Sequence, residues 1–180
     1  MKTFLKNRGV LFTVGFGGIV MLVVVFGSHK FMSYTNTLEF CISCHEMEET
    51  VYQEYTKSLH YNNRTGVRAE CPDCHVPSTQ PEILYAKVAA VKDIYHHLLG
   101  TIDTVEKFEE NRLAMAEVVW AKMEASGSRE CKSCHSFEAM LLEEQGRRGR
   151  KKHPKAIEEG KTCINCHKGV VHRLPKGYNP

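Results

Sequence analysis

The sequence predicts a mainly α-helical protein with much irregular loop, in which one N-terminal transmembrane helix precedes a single domain. Three observations lead to this prediction. Residues 10–28 form an uncharged apolar run, and all 8 cysteines fall into copies of one five-residue motif. No alternating pattern of useful length predicts a strand. A length of 180 residues is enough for one domain and an anchor.

The apolar run is long enough to cross a membrane. About 19 residues, each rising about 1.5 Å, nearly cover the ~30 Å hydrocarbon core. A cleaved signal peptide is the alternative, but its apolar part is usually about 7–15 residues long and ends at small residues. The run here ends in Phe-Gly-Ser-His-Lys at residues 26–30, a poor cleavage site. We therefore expect an uncleaved anchor over residues 10–28.

Charges outside the anchor set its predicted orientation. Lys2, Lys6 and Arg8 precede it, so residues 1–9 should be cytoplasmic and residues 29–180 periplasmic, with the anchor in the bacterial inner membrane. The net charge of +3 is too small to suggest nucleic acid as a partner, and no recognition motif for it occurs. The basic run 147–152 is either a solvated loop or a docking surface for an acidic redox partner.

Each copy of the five-residue motif reads Cys-x-x-Cys-His, the attachment signature of a c-type haem. The two thiols add to the haem vinyl groups, and the imidazole that follows can reach the iron. Zinc sites and redox dithiols also use Cys-x-x-Cys, but neither explains a histidine in all four copies. We therefore predict four covalent haems, attached in turn through Cys41 and Cys44, Cys71 and Cys74, Cys131 and Cys134, and Cys163 and Cys166.

The domain must enclose four porphyrins with about 150 residues, so its apolar core should consist largely of the macrocycles. We expect the chain without haem not to fold. Two helices can be predicted between the second and third motifs. One covers residues 79–99 and stops at Gly100. The other covers residues 103–125 and opens with a sequence that resembles a capping box.

An electron-transfer haem usually has two strong protein ligands, and each motif supplies one histidine. The histidines outside the motifs are His29, His60, His96, His97, His153 and His172. Of these, His60, His153 and His172 are the candidate distal ligands. His172 lies only five residues after the last motif, too few to pass around that haem, so it should serve a neighbouring one. For His96 and His97, a surface position or a hydrogen bond to a propionate is the simpler interpretation.

The first motif differs from the others because Met47 follows His45 by two residues. A methionine at this distance could bind the iron in place of His45. On local chemistry alone, a methionine is more often a packing residue. The residues by themselves therefore leave open whether His45 or Met47 binds the first iron.

Several segments resemble the NapC/NirT family of membrane-anchored tetrahaem cytochromes. They are residues 39–47, 52–55, 60–64, 71–77, 102–104 and 166–172. The resemblance implies a quinol dehydrogenase that passes electrons from membrane quinol to a periplasmic nitrate or nitrite reductase, or to a soluble cytochrome, in anaerobic respiration. The alternative is an anchor and relay subunit that another protein reduces. Formation of a homo-oligomer stays open.

The resemblance also implies roles for particular residues. Met47 would bind the first haem iron. The implied axial pairs are His75 with His172 at the second haem, His135 with His60 at the third, and His167 with His153 at the fourth. Lys87 and Asp93 would flank the quinol, with Lys87 bonded to its oxygen and Asp93 accepting its proton. Ser78 stands where relatives often have a histidine, so that position cannot supply a ligand here.

Overall fold

The computed structural model describes residues 2–179 and contains no strand within that range. Its α-helices are α1 (Lys2–Tyr34), α2 (Leu38–Cys41), α3 (His45–Glu49), α4 (Val51–Tyr55), α5 (Cys71–His75), α6 (Glu82–Ala89), α7 (Val91–Leu98), α8 (Val105–Ala125), α9 (Arg129–Lys132), α10 (Arg147–Glu158) and α11 (Cys163–Cys166). Two 3₁₀ helices, Phe137–Ala139 and Leu142–Glu144, lie between α9 and α10. The predicted class, mainly α with much irregular loop, is confirmed.

Helix α1 contains the predicted anchor and extends past it. Its apolar part, Gly9–Tyr34, has 26 residues and a mean hydropathy of 2.5, and none of the most apolar stretch is buried against the rest of the protein. The helix is therefore long and apolar enough to span a bilayer. It ends at Tyr34 and not at residue 28, because no helix-breaking residue follows the apolar run at that point.

The helix predicted over residues 79–99 is two helices in the structure. Helix α6 ends at Ala89 and α7 begins at Val91, so the prediction of one continuous helix is wrong. No proline or glycine marks the break, and Ala90 between the two helices keeps right-handed helical backbone angles. The second prediction is nearly right: α8 begins at Val105 behind the N-cap Thr104, whose hydroxyl accepts from the backbone N–H of Lys107.

The polypeptide alone supplies a very small apolar core. Within residues 9–179, the buried hydrophobic side chains are those of Leu38, Tyr55, Phe108 and Ile164. A chain of this length ordinarily buries many more. This agrees with the expectation that the domain packs around porphyrins.

A buried ion cluster ties α4, α8 and the C-terminal segment together. The Arg112 side chain, only 6% exposed, makes a bidentate contact with Glu54 at 2.7 and 3.1 Å. It also contacts Glu109 at 2.9 Å. Arg173 donates from its side chain to Glu54 at 2.8 Å and to Glu109, and its backbone N–H also donates to Glu54. The cluster therefore fixes the backbone directly after His172.

Candidate haem sites

The short helices of the first three motifs contact one another in chain order, and a cysteine of the third motif neighbours one of the fourth. Helix α2, which ends at Cys41, packs on α5 of the second motif, and α5 packs on α9 of the third. A thiol hydrogen bond joins Cys41 to Cys71; it lowers the pKa of Cys41 to about 7 and raises the pKa of Cys71. Burial, followed by the neighbouring Cys163, raises the pKa of Cys131 to about 11. The attachment points thus follow one path from the first motif to the fourth.

Three histidines from outside the motifs lie opposite three motif histidines. The ring centroids are 6.2 Å apart for His60 and His135, and 6.2 Å apart for His75 and His172. For His153 and His167 the distance is 6.0 Å. These are the three axial pairs that the family resemblance implies.

The spacing of these pairs fits a metal held between two imidazoles. A metal–imidazole bond is about 2.0–2.1 Å, as for zinc, and the ring centre lies about 1.2 Å beyond the nitrogen, so two trans rings stand about 6.4 Å apart. The residues present therefore fit an iron atom in each pair.

The polar atoms of the distal histidines support the same interpretation. The Nδ1 atoms of His60 and His172 are buried and have no hydrogen-bond partner among the described residues, which is rare unless another group is bound. Burial lowers the pKa of His60, and burial followed by the charge of His75 lowers that of His172 to about 4. Both rings are therefore neutral near pH 7, the form that binds a metal.

The third distal histidine has a partner that fixes its orientation. The carboxamide oxygen of Gln145 lies 2.5 Å from Nδ1 of His153, so Nδ1 carries the proton and donates it. The other nitrogen, Nε2, is then the free ligand atom. Gln145 is a candidate site residue that sequence reasoning missed. Its signal was weak, because it precedes His153 by eight residues in a polar segment.

The first motif has a different arrangement. His45 and His97 also have ring centroids 6.0 Å apart, but here Nε2 of His45, the atom that would bind an iron, is hydrogen-bonded to the protein. Nε2 of His45 lies 2.9 Å from the backbone carbonyl of Asp103, and Nδ1 of His97 donates to the Glu46 carboxylate. Met47 is half-buried at the start of the same motif helix.

Glu46 is the second residue that sequence reasoning missed. Its side chain is only 2% exposed, and Nδ1 of His45 lies 3.3 Å from its second oxygen. Burial opposes ionisation, but the hydrogen bonds from His97 and from the backbone, together with the charges of His97 and His45, outweigh it and hold the pKa of Glu46 below its usual value. A buried carboxylate thus connects the first motif to α7 and supplies a role for His97. The available signal was the acidic residue inside the Cys-His-Glu-Met sequence.

Lys87 and Asp93 lie on different helices. Lys87, on α6, donates from Nζ to the carbonyl of Thr35 at 2.7 Å, directly after the end of α1. Burial lowers the pKa of Lys87, although Cys41 raises it in part. Asp93 is exposed on α7. The helix is interrupted at Ala90, between the two residues.

Comparison with known proteins identifies the family. A model of the NapC/NirT cytochrome c family, N-terminal region, matches residues 4–177. The chain belongs to this family. The denitrification system component NirT of Stutzerimonas stutzeri is 52% identical over 161 residues, which are 89% of this chain and 80% of that protein. The cytochrome c-type protein NapC of Escherichia coli K12 is 50% identical over 168 residues, 93% of this chain and 82% of its own.

A NapC from Paracoccus pantotrophus is 44% identical over 168 residues, 91% of this chain and 71% of its own. As a NapC/NirT cytochrome c, the chain is a respiratory electron-transfer protein with covalently attached haem and an N-terminal membrane anchor. The three histidine pairs and the motif cysteines are the part of the chain that would hold that haem.

Proposed function

We propose that this cytochrome binds four haems, oxidises membrane quinol beside the first and passes the electrons to a periplasmic reductase of the nitrate or nitrite type. The observation that carries the proposal is the hydrogen bond from Lys87 to the carbonyl of Thr35. It brings a cationic side chain to the junction between the membrane anchor and the first motif. A quinol that leaves the bilayer reaches the protein at this junction.

A cationic side chain at this junction suits the oxidation of a quinol. Each quinol loses two electrons and two protons and becomes a quinone, whereas each bound haem supplies a carrier for one electron. Lys87 is the hydrogen-bond donor to the quinol oxygen. Because its pKa is lowered, Lys87 releases a proton more readily than an exposed lysine does.

Asp93 is the proposed proton acceptor. It is exposed on α7, so a proton that it accepts can pass on to bulk water. The carbonyl bond of Lys87 and the bond from His97 of α7 to Glu46 hold α6 and α7 against the first motif.

The remaining residues divide between ligation and transfer. Met47 is the proposed ligand of the first haem. The other three haems would have two histidine ligands each, from the pairs His75 with His172, His135 with His60, and His167 with His153. The contacts of α2 with α5 and of α5 with α9, and the proximity of Cys131 to Cys163, support transfer from the first haem to the fourth, and then to the partner.

The direct test is reduction of the purified full-length protein by a reduced, water-soluble quinol analogue with no other protein present. Haem reduction, followed by visible absorbance, is expected for the natural sequence. Asp93→Asn and Lys87→Ala should keep all haems and reduce the rate by about 10²-fold or more, the usual cost of losing an acid–base group. Lys92→Ala and Glu106→Gln, at two exposed charges nearby, are the matched controls.

Two results would contradict the proposal. If the natural sequence is not reduced by quinol, the chain is a relay that another protein reduces. If both variants turn over at the rate of the controls, Lys87 and Asp93 have no part in the reaction.

A further inference from the structure

We propose that the outer face of helix α10 is the docking surface for an acidic soluble redox protein, which takes electrons there from the fourth haem. The helix has 12 residues, Arg147–Glu158, and no acidic residue in its first turn. Its basic side chains are all exposed: Arg147, Arg148, Arg150, Lys151, Lys152 and Lys155. Lys155 pairs with Glu159 at 3.5 Å, and the other five form no ion pair within residues 9–179.

The two sides of α10 present different kinds of residues. At about 100° per residue, the basic side chains cover an arc of about 200°. The remaining side presents Gly149, His153 and Ala156, each half-buried. His153 on this inner side lies opposite His167 of the fourth motif. A helix is only about 10–12 Å across, so one short element carries both a proposed haem ligand and a cationic outer surface.

Local stability does not explain this charge pattern. Cations at the start of a helix oppose its dipole, which favours acidic residues there. Arg147 and Lys151 are four residues apart, as are Lys151 and Lys155, and like charges at this spacing repel. A sequence selected only for helix stability would alternate the signs. The concentrated charge instead suits attraction of an acidic partner, whose association it would speed.

The position of α10 beside the fourth motif favours a redox protein over lipid headgroups as the occupant, because a redox protein can accept an electron there and a headgroup cannot. Helix α8 contacts the first motif at its start, where the carbonyl of Asp103 meets His45. Its other end contacts the fourth motif, where Ser128 accepts from the backbone of Ile164. A helix of 21 residues is about 30 Å long. The fourth motif and α10 therefore lie at the end of α8 opposite the contact between Asp103 and His45.

The proposed reaction is a single outer-sphere electron transfer. The protein loses one electron at its fourth haem, the acidic partner gains that electron, and no covalent bond changes. The inference rests on the proposed delivery of electrons to a soluble acceptor. It does not depend on quinol oxidation, because a chemical reductant can load the haems.

The test uses the full-length holoprotein in neutral-lipid nanodiscs, reduced by dithionite and mixed in a stopped-flow instrument with acidic plastocyanin. The variant is Arg147→Gln/Arg148→Gln/Lys151→Gln, which avoids Arg150 because that residue shares a cleft with Glu143. The control is Lys57→Gln/Arg64→Gln/Lys176→Gln, three exposed residues away from α10 with the same total change of charge. Basic mitochondrial cytochrome c is the second acceptor.

At low ionic strength the α10 variant should react with plastocyanin about tenfold more slowly than the natural sequence, and its rate should depend less on salt. The control should stay within about twofold, and mitochondrial cytochrome c should show no such loss. The single variants Arg148→Gln and Lys151→Gln, each expected to lose about two- to threefold, apply the same test if the triple variant does not mature.

Two outcomes would overturn the inference. Equal losses in the α10 variant and the control would mean that only total charge matters. If the α10 variant reacts more slowly than the natural sequence in anionic phosphatidylglycerol nanodiscs but at the same rate in neutral ones, the surface binds lipid. Quinol-driven reduction, measured on the same variants, should be unchanged, so a failure here is distinct from a failure of the quinol proposal.

Discussion

Nε2 of His45 lies 2.9 Å from the backbone carbonyl oxygen of Asp103, and a carbonyl can only accept a hydrogen bond. The nitrogen must therefore carry a proton, and this bond raises the pKa of His45. A protonated nitrogen cannot bind iron. The contact supports Met47 as the ligand at the first motif, and it also fixes the start of α8 beside that motif.

Substitution of Met47 should therefore change the ligation of the first haem iron, and substitution of His45 should not. We expect Met47→Leu to alter the electron paramagnetic resonance signal of one haem. His45→Gln keeps a donor to Asp103 and should leave the signals unchanged. A pyridine haemochrome assay gives the number of attached haems in both variants. If His45→Gln alters the signals and Met47→Leu leaves them as in the natural sequence, His45 is the ligand of the first haem iron.

Gln145 should tune the fourth haem through His153. A hydrogen bond to Nδ1 makes the imidazole a stronger electron donor. Gln145→Leu is expected to raise the potential of one haem by about 40 mV, since one bond of about 1 kcal/mol is lost. Gln145→Glu should lower it, because the acceptor becomes an anion. Potentiometric titration followed by visible absorbance measures both shifts, and identical potentials in all three proteins would exclude this role.

Gly149 provides an independent check on the same contact. A Cβ atom at this position would lie 2.9 Å from Oε1 and 3.3 Å from Cβ of Gln145. Gly149→Ala should therefore displace the carboxamide and shift the same haem in the same direction as Gln145→Leu. Gly146→Ala is the control, since a Cβ there meets nothing within 4 Å.

Arg112 should be among the most sensitive residues for stability. Removing a buried cation leaves the carboxylates of Glu54 and Glu109 without their partner, at a cost of about 3 kcal/mol. Arg112→Met should lower the thermal midpoint of the holoprotein by about 6–12 °C. Circular dichroism measures the midpoint. Arg64→Met, at an exposed position, should change it by little; equal midpoints in the two variants would show that the cluster adds nothing.

The cluster should also make stability depend on pH. Burial raises the pKa of Glu109, but the hydrogen bonds from Arg112 and Arg173 outweigh it, so the net pKa lies below the ordinary 4.5. Because the folded value is lowered, this stabilisation is present above pH 4.5 and is lost as the pH falls through the folded pKa. Glu109→Gln should be less stable than the natural sequence at pH 7 and lose less on acidification. Parallel acid titration curves would contradict the prediction.

Ser128 should hold the fourth motif against α8. It is fully buried, has a φ of 55°, and its hydroxyl accepts from the backbone N–H of Ile164 at 3.1 Å. Ser128→Ala leaves that buried N–H without a partner, at about 1–3 kcal/mol. A fall of about 5 °C in the thermal midpoint is expected from this cost. Ser133→Ala removes an exposed hydroxyl and serves as the control.

Much of the site could be predicted because its chemistry is local. The haem-binding cysteines and the motif histidines lie within five residues of each other, so the pattern alone identifies them. The candidate distal histidines could be listed from the sequence as a set, because few histidines lie outside the motifs. Glu46 and Gln145 could not be predicted, because no sequence pattern separates such a glutamate or glutamine from an ordinary polar residue. Their importance depends on which side chain lies opposite.

The sequence by itself determined the anchor, the haem chemistry, the number of motifs and the helical class, because length, hydropathy and covalent attachment are properties of contiguous residues. Only the tertiary structure decided that the ring centroids of the three histidine pairs are 6.0–6.2 Å apart. The same holds for the helix interruption between α6 and α7 and for the hydrogen bond of His45 to the carbonyl of Asp103. These features join residues up to 97 positions apart, as for His75 and His172. Contacts over such separations follow from packing in three dimensions, which no local pattern encodes.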